Sequence, residues 1–357
     1  MTVGLDVTDS GVSPYRSSLL NITGACPAPE GSPDTGVAWH YGDPLGEQRL
    51  LQSGAGWIDF SHRGVVAVSG PDRLSWLHSL TTQHVEALRP GQSALNLILS
   101  PHGHVEHELH LVDDGEVTWI SVEPGTAADL VAYLDRMRFM LRVEVADRSA
   151  DTAVVGEPLA AAHATLPSYL LPQQFSVVEA DDPGTLKYVP RRPGVLMGRE
   201  VFVPRSDLDA YVAGRAGAGT WAWEALRVAA GIPRFGFETD HRTIPQEVGW
   251  VSSAVHLSKG CYRGQETVAR VHNLGRPPRR LVLLHLDGSA AHTPVAGDTV
   301  FVEGRDVGRL TTSAVHAELG PIALAVIKRS VATEVDLLVG PDLDHIVSAA
   351  QETVVVA

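Results

Sequence analysis

The sequence predicts an α+β protein with a small β-barrel at its C-terminal end. Three observations point there. Strand-like and helix-like stretches alternate irregularly up to residue 276, without the repeating unit of a doubly wound sheet. A three-strand meander with clear turn residues runs from Leu95 to Val122. From Arg279 onward only short strands remain. Turns at Asp287-Gly288, Ala296-Gly297-Asp298 and Glu303-Gly304-Arg305-Asp306 separate them, which is the pattern of a small barrel.

At 357 residues the chain is too long for one small core and divides into parts. Residues 1–36 are rich in Ser, Gly, Pro, Asp and Thr and read as an extension with little structure of its own. Residues 37–276 carry the α+β pattern and residues 277–357 the barrel. Hydrophobic residues at 44% and charged residues at 20% are ordinary for a soluble globular chain. The apolar runs are too short to span a bilayer, and no basic-then-apolar leader opens the sequence. The two cysteines, Cys26 and Cys261, lie far apart and make no disulfide framework, so a reducing, cytoplasmic setting is expected. A net charge of -14 argues against a broad nucleic-acid surface. Arg263, Arg270, Arg276, Arg279 and Arg280 cluster in sequence and read as a solvated face.

Ordered structure is expected from Val37-Ala38-Trp39 onward, with strands at Gly56–Phe60 and Gly64–Gly70. Pro71 suits the first turn of a helix whose apolar face is Leu74, Leu77 and Leu80. In the meander, alternation puts His104, Glu106, Glu108 and His110 on one face and Val105, His107, Leu109 and Leu111 on the other. Four histidines in so short a stretch invite a metal hypothesis. His104 and His110 stand too far apart along one strand to chelate alone, so the face reads as wet and no metal site is predicted. A helix over Ala127–Arg138, a strand over Leu141–Val145 and a strand over Gly198–Pro204 follow. Thr220 is placed to cap a helix from Trp221 to Ala230, stopped by Gly231 and Pro233.

The chemistry concentrates in Leu257–Glu266. Cys261 lies between Lys259 and Arg263 and is flanked by Gly260 and Gly264. The following helix, Glu266 to Gly275, presents its positive end to this loop. A lone cysteine is most often a small buried hydrophobe. Here two nearby cations and a helix N-terminus favour a reactive thiolate instead.

Lys259-Gly260-Cys261-Tyr262-Arg263-Gly264-Gln265-Glu266 resembles the K-G-C-Y-x-G-Q-E signature of the YgfZ family, relatives of the aminomethyltransferase (T-protein) of the glycine cleavage system. Ser69 to Thr82, read as S-G-x-D-x-x-x-W-L-x-x-L-T-T, and Leu226-Arg227-Val228-Ala229-Ala230-Gly231-Ile232-Pro233 are similar to other segments of that family. The resemblance implies an aminomethyltransferase-like fold of several subdomains, binding tetrahydrofolate or another reduced folate. It implies that Arg227 faces the folate and that Glu200 meets the pterin ring. It adds Tyr262 and Gln265 of the motif, and His107, to the folate-contacting set. The paired aspartate of the aminomethyltransferases matches His107 and Glu108, within one residue of register. A histidine cannot do the electrostatic work of a fixed carboxylate, which puts aminomethyl transfer in doubt.

By this resemblance the chain is a folate-binding accessory protein rather than an enzyme. It would support iron–sulfur cluster assembly or repair and meet iron–sulfur proteins or their assembly machinery, with no membrane partner. Cys261 and Lys259 would be its chemical residues. One thiolate cannot hold a cubane cluster alone, so any cluster contact would be shared. The alternatives are a tetrahydrofolate-dependent one-carbon transferase or demethylase, and an interaction module that has lost its ligand.

Overall fold

The structure, a computed structural model, describes residues 15–159, 166–171, 175–179, 186–190, 198–274, 277–290 and 293–355. It opens with a 3-10 turn at Ser18–Asn21 and a strand pair, β1 (Cys26–Pro27) and β2 (Ala38–His40). Next come α1 (Pro44–Gln52), β3 (Trp57–Asp59), β4 (Gly64–Ser69) and α2 (Arg73–Leu80). The meander is β5 (Ser93–Leu99), β6 (Val105–Asp113) and β7 (Val117–Val122), followed by α3 (Ala127–Met137) and β8 (Glu144–Asp147). Then come β9 (Thr152–Pro158), β10 (Ser168–Leu170), the hairpin β11 (Phe175–Glu179) and β12 (Leu186–Pro190), and β13 (Gly198–Pro204). After α4 (Leu208–Val212), β14 (Gly217–Ala218) and α5 (Thr220–Ala230) come α6 (Val251–Ala254) and α7 (Gln265–Leu274). Strands β15 (Arg279–Leu286), β16 (Thr299–Val302), β17 (Arg305–His316), β18 (Gly320–Lys328), β19 (Leu337–Gly340) and β20 (Val347–Thr353) close the chain.

Two five-stranded sheets, ordered β5-β6-β7-β4-β8 and β10-β13-β9-β3-β14, make the α+β part. The six C-terminal strands close into a barrel in the order β15-β18-β17-β16-β19-β20. Period-two alternation builds the barrel wall: Val282 and Leu284 of β15 enter its interior, while Leu281 and Leu283 face outward onto Val228 of α5. Helix α5 is buried along nearly its whole length, since it lies between both sheets and the barrel.

Several expectations change. The sequence 1–36 is not without structure over its described part: Leu19 and Leu20 are buried, and Ser17 Oγ donates to Asp59 at 2.5 Å. Helix α1 is an addition. Asp43 caps it by accepting from the Gly46 N–H at 2.9 Å, and Pro44 holds its first position. Gly219, not Thr220, caps α5; its N–H goes to Glu47 at 2.8 Å, and a side chain there would strike the Trp39 carbonyl. Strand β8 starts later than Leu141 because the Arg142 N–H is taken by the Asp72 carboxylate at 2.9 Å rather than by a ladder. The arginines read as a solvated face are partly structural: Arg279 pairs with Glu247 and Asp240, and Arg280 is buried against Gln351 and the Val331 carbonyl. Among the described residues no helix is long and apolar enough to cross a membrane.

Candidate functional site: a buried ionic pocket

The site forms where β6, β13, α5 and the loops after β3 and α5 converge. Alternation along β6 projects Glu108 and His110 to the same side, where β13 brings Glu200. Helix α5 adds Glu224 and Arg227, three residues apart and so on one face. Gly231 ends that helix at φ 67, in the left-handed region that favours glycine, and turns the chain so that Ile232, Pro233 and Arg234 reach the pocket. Phe60, His62, Arg63, Glu123, Leu171 and Trp223 complete the wall. The cavity itself is about 30 Å³, opening into a wider space of about 470 Å³ that includes open solvent.

The charged groups form one connected network. Glu108 approaches His110 Nε2 at 3.3 Å, and Glu200 holds His110 Nδ1 at 2.8 Å. Arg63 donates to Glu123 at 2.7 Å, and Arg234 donates to the other oxygen of Glu123 at 2.8 Å. Arg234 also binds Asp34 at 2.6 Å and Glu224 at 3.3 Å, while His62 meets Asp34 at 3.0 Å. Six carboxylates (Asp34, Glu108, Glu123, Glu200, Glu224 and Glu238) thus share three guanidinium groups and two imidazoles, all close to fully buried at the side chain.

Burial alone would lower the His110 pKa, but Glu200 and Glu108 outweigh it and push the imidazole up to about 9. His110 is therefore a cation at neutral pH, stacked on Tyr169 at 4.4 Å between ring centroids. Burial would raise Glu200, yet His110 and Arg63 hold it down at about 2. The Ser121 hydroxyl also hydrogen-bonds this carboxylate, and Oε2 lies 4.0 Å from Arg63 Nε. The network combines fixed carboxylates and a stored proton on an imidazolium, which suits a ligand rich in N–H donors and acceptors.

The residues expected from the sequence separate into three groups. Glu200 and Arg227 do line the pocket. Arg227, however, has all five N–H donors engaged by Glu224, Glu238, Thr312 and the Ile232 carbonyl. It braces α5 against the barrel strand β17 and has no donor left for a ligand carboxylate. His107 does not line the pocket. It faces the other side of β6, with its ring 6.1 Å from Tyr133 of α3, and burial lowers its pKa. Its neighbour Glu108, the other residue within that register, lines the pocket together with His110. The strand face read as wet is therefore buried at both residues, 6% and 7% exposed.

The cysteine loop lies outside the pocket lining. Lys259 does not serve the thiol: its ammonium donates to the carbonyls of His78, Thr81 and Gln83 at 2.5, 2.6 and 2.9 Å. Burial lowers its pKa to about 8, with Glu86 opposing. Tyr262 is 7% exposed and packs in the main core, 5.4 Å from the Lys259 ammonium, rather than in the pocket. Gln265 reaches the Lys259 carbonyl at 3.4 Å, and Arg263 pairs with Glu106 at 2.8 Å. Gly264 is at φ 83, where a Cβ would sit 2.6 Å from the Ser100 carbonyl oxygen, so only glycine lets the loop press onto the meander turn. Cys261 remains exposed.

Sequence reasoning missed Asp34, Arg63, Glu123 and Arg234. Arg234 had the better signal, since it follows the Gly231–Pro233 helix stop directly; the others become partners only through long-range packing.

This architecture is the aminomethyltransferase fold: two sheets around a central pocket, with a C-terminal six-stranded barrel. The structure superposes on aminomethyltransferase T of the glycine cleavage system from Bartonella henselae with a TM-score of 0.74, covering 93% of this chain and 94% of that one at 18% identity. The GCVT N-terminal domain family matches residues 39–160. In sequence the chain is similar to the aminomethyltransferase of Cutibacterium acnes, 27% identical with 82% of this chain and 84% of that protein covered. It is likewise similar to the aminomethyltransferase of Bacillus subtilis, 28% identical over 79% of this chain and 82% of that protein.

Proposed function

We propose that the chain binds a reduced folate such as tetrahydrofolate in the ionic pocket. On this reading it acts as an accessory protein for iron–sulfur cluster assembly or repair through Cys261. The observation that carries the proposal is the separation of the two sites. The pocket is lined by buried ionic groups and contains no thiol, whereas Cys261 is exposed on a loop braced by other residues. A ligand bound in one place and a thiol offered in another suit a protein that presents chemistry to a partner. The Glu200 and Glu108 carboxylates, both in the pocket wall, would take the N–H groups of the pterin. A pterin exceeds a 30 Å³ cavity, so its entry must displace wall side chains, with Trp223 among them.

A second reading is tetrahydrofolate-dependent aminomethyl transfer. Glu108 favours it: the buried carboxylate that such chemistry needs is in the pocket, one position from His107. The names of the similar proteins favour it as well.

Calorimetric titration with a stable reduced folate, followed in parallel by tryptophan fluorescence, tests both. The accessory reading expects binding that Cys261→Ser leaves intact, together with lower iron–sulfur enzyme activity in cells carrying Cys261→Ser. The transferase reading expects turnover of an aminomethyl donor that Glu108→Gln abolishes and Cys261→Ser does not. Absence of binding up to millimolar folate sinks both.

A further inference from the structure

Beyond the pocket and independent of its ligand, the chain carries a rigid apolar projection that neither proposed activity uses. At the end of α3, Met137, Phe139, Met140 and Leu141 are 42%, 89%, 87% and 44% exposed. A single exposed apolar residue is ordinary, but four within five positions, two almost wholly in water, form a patch that opposes solubility. Phe139 also adopts φ 49, a left-handed backbone that a bulky aromatic residue rarely takes.

Both ends of this knuckle are fastened. The buried Trp76 indole donates to the Met137 carbonyl at 3.1 Å. Asp72 accepts from the Arg142 backbone N–H at 2.9 Å and from its guanidinium at 2.6 and 3.0 Å. The Leu141 N–H closes the turn onto the Arg138 carbonyl at 3.0 Å. A pre-organised aromatic projection loses little freedom on binding, which is the property of an interface anchor.

Its surroundings define the partner. Arg136, Arg138 and Arg142 are all exposed around it, a basic collar on a chain whose net charge is -14. The Asp135 pairing of Arg138 is solvent-exposed and weak, so it can be exchanged for a partner's carboxylate, while Arg142 stays fastened to Asp72. Two copies meeting knuckle to knuckle would oppose their arginines, and an anionic lipid surface would repel the acidic remainder of the chain. The cysteine loop lies alongside: Arg263 sits 5.9 Å over the ring of Tyr133, one helical turn before Met137.

We infer that Met137–Leu141 is the docking element for a partner protein with an apolar pocket rimmed by carboxylates, held so that the partner also faces the exposed Cys261 loop. The test places a benzoylphenylalanine crosslinker at position 139 or 140 of the full chain in its native cells, with Leu343, 50% exposed, as the control position. One protein should crosslink from both knuckle positions and not from 343. Purified, that protein should bind the wild-type chain more weakly as salt rises, and Phe139→Ser should reduce its affinity about tenfold or more. Phe139→Gly should lose binding equally while its melting temperature holds or rises, which separates docking from a structural role. Crosslinks equal to those at 343, crosslinks only to lipid or to a second copy, or full affinity of Phe139→Ser would overturn the inference.

Discussion

The ionic pocket and the cysteine loop treat charge in opposite ways. In the pocket, carboxylates outnumber cations, every guanidinium is shared, and the groups are nearly dry. In the loop, each cation serves its own partners. Lys259 ties three carbonyls at the end of α2, and Arg263 neutralises Glu106 at the surface. The pocket is thus a cooperative unit in which removing one member strands several others. In the loop, the motif Lys259–Glu266 is chiefly scaffolding that holds a single thiol in the open. A motif that looks chemical throughout can be architectural at most of its positions.

The sharpest way to break this comparison is Arg234→Leu. It strands Asp34, Glu123 and Glu224 without their shared cation. Breaking buried pairs of this kind costs about 3–5 kcal/mol, and urea denaturation should report a loss of that size. A variant as stable as the wild type would mean the pocket is no cooperative unit.

A smaller effect comes from proton linkage. His110 is raised from 6.5 to about 9 in the fold, so its contribution is complete below pH 6.5 and disappears as pH rises through 9. Glu200 is lowered from 4.5 to about 2, so its contribution is complete above pH 4.5 and disappears as pH falls through 2. Stability should therefore decline between pH 6.5 and 9 by roughly 2–3 kcal/mol, and His110→Gln should flatten that slope. A pH-independent midpoint across this range in the wild type would contradict the imidazolium.

The least effect belongs to the loop. Cys261→Ser should change stability by no more than about 0.5 kcal/mol, because the thiol is exposed and braces nothing. A larger loss in thermal unfolding would place the sulfur inside the scaffold and erase the contrast between the two regions.

The sequence made the coarse fold legible through local signals: alternation in the meander, Gly231 as a helix stop, and glycine-bearing turns in the barrel. Glu200 and Arg227, singled out in the sequence, both line the pocket. The rest of the ionic network was not legible, because Asp34, Glu123 and Thr312 meet Arg234 and Arg227 only through tertiary packing. The place of His107 outside the pocket has a simple geometric source. Successive residues on a strand face opposite sides, so His107 and Glu108, adjacent in sequence, part to the two faces of β6. Lys259 was misjudged for another reason: proximity in sequence to Cys261 gave no sign that its ammonium would turn back onto α2.

The Asp34–Arg234 pair spans 200 residues of chain. At typical elongation rates of 5–20 residues per second, Asp34 is added to the chain about 10–40 s before its cation. The barrel threonine that braces Arg227 follows later still. For that interval Asp34 and Glu123 have only His62 and Arg63 to pair with, and the central site cannot close. The pocket is therefore among the last parts of the molecule to mature, and a growing chain should remain open to ligands, chaperones and proteases until its final third has been synthesised.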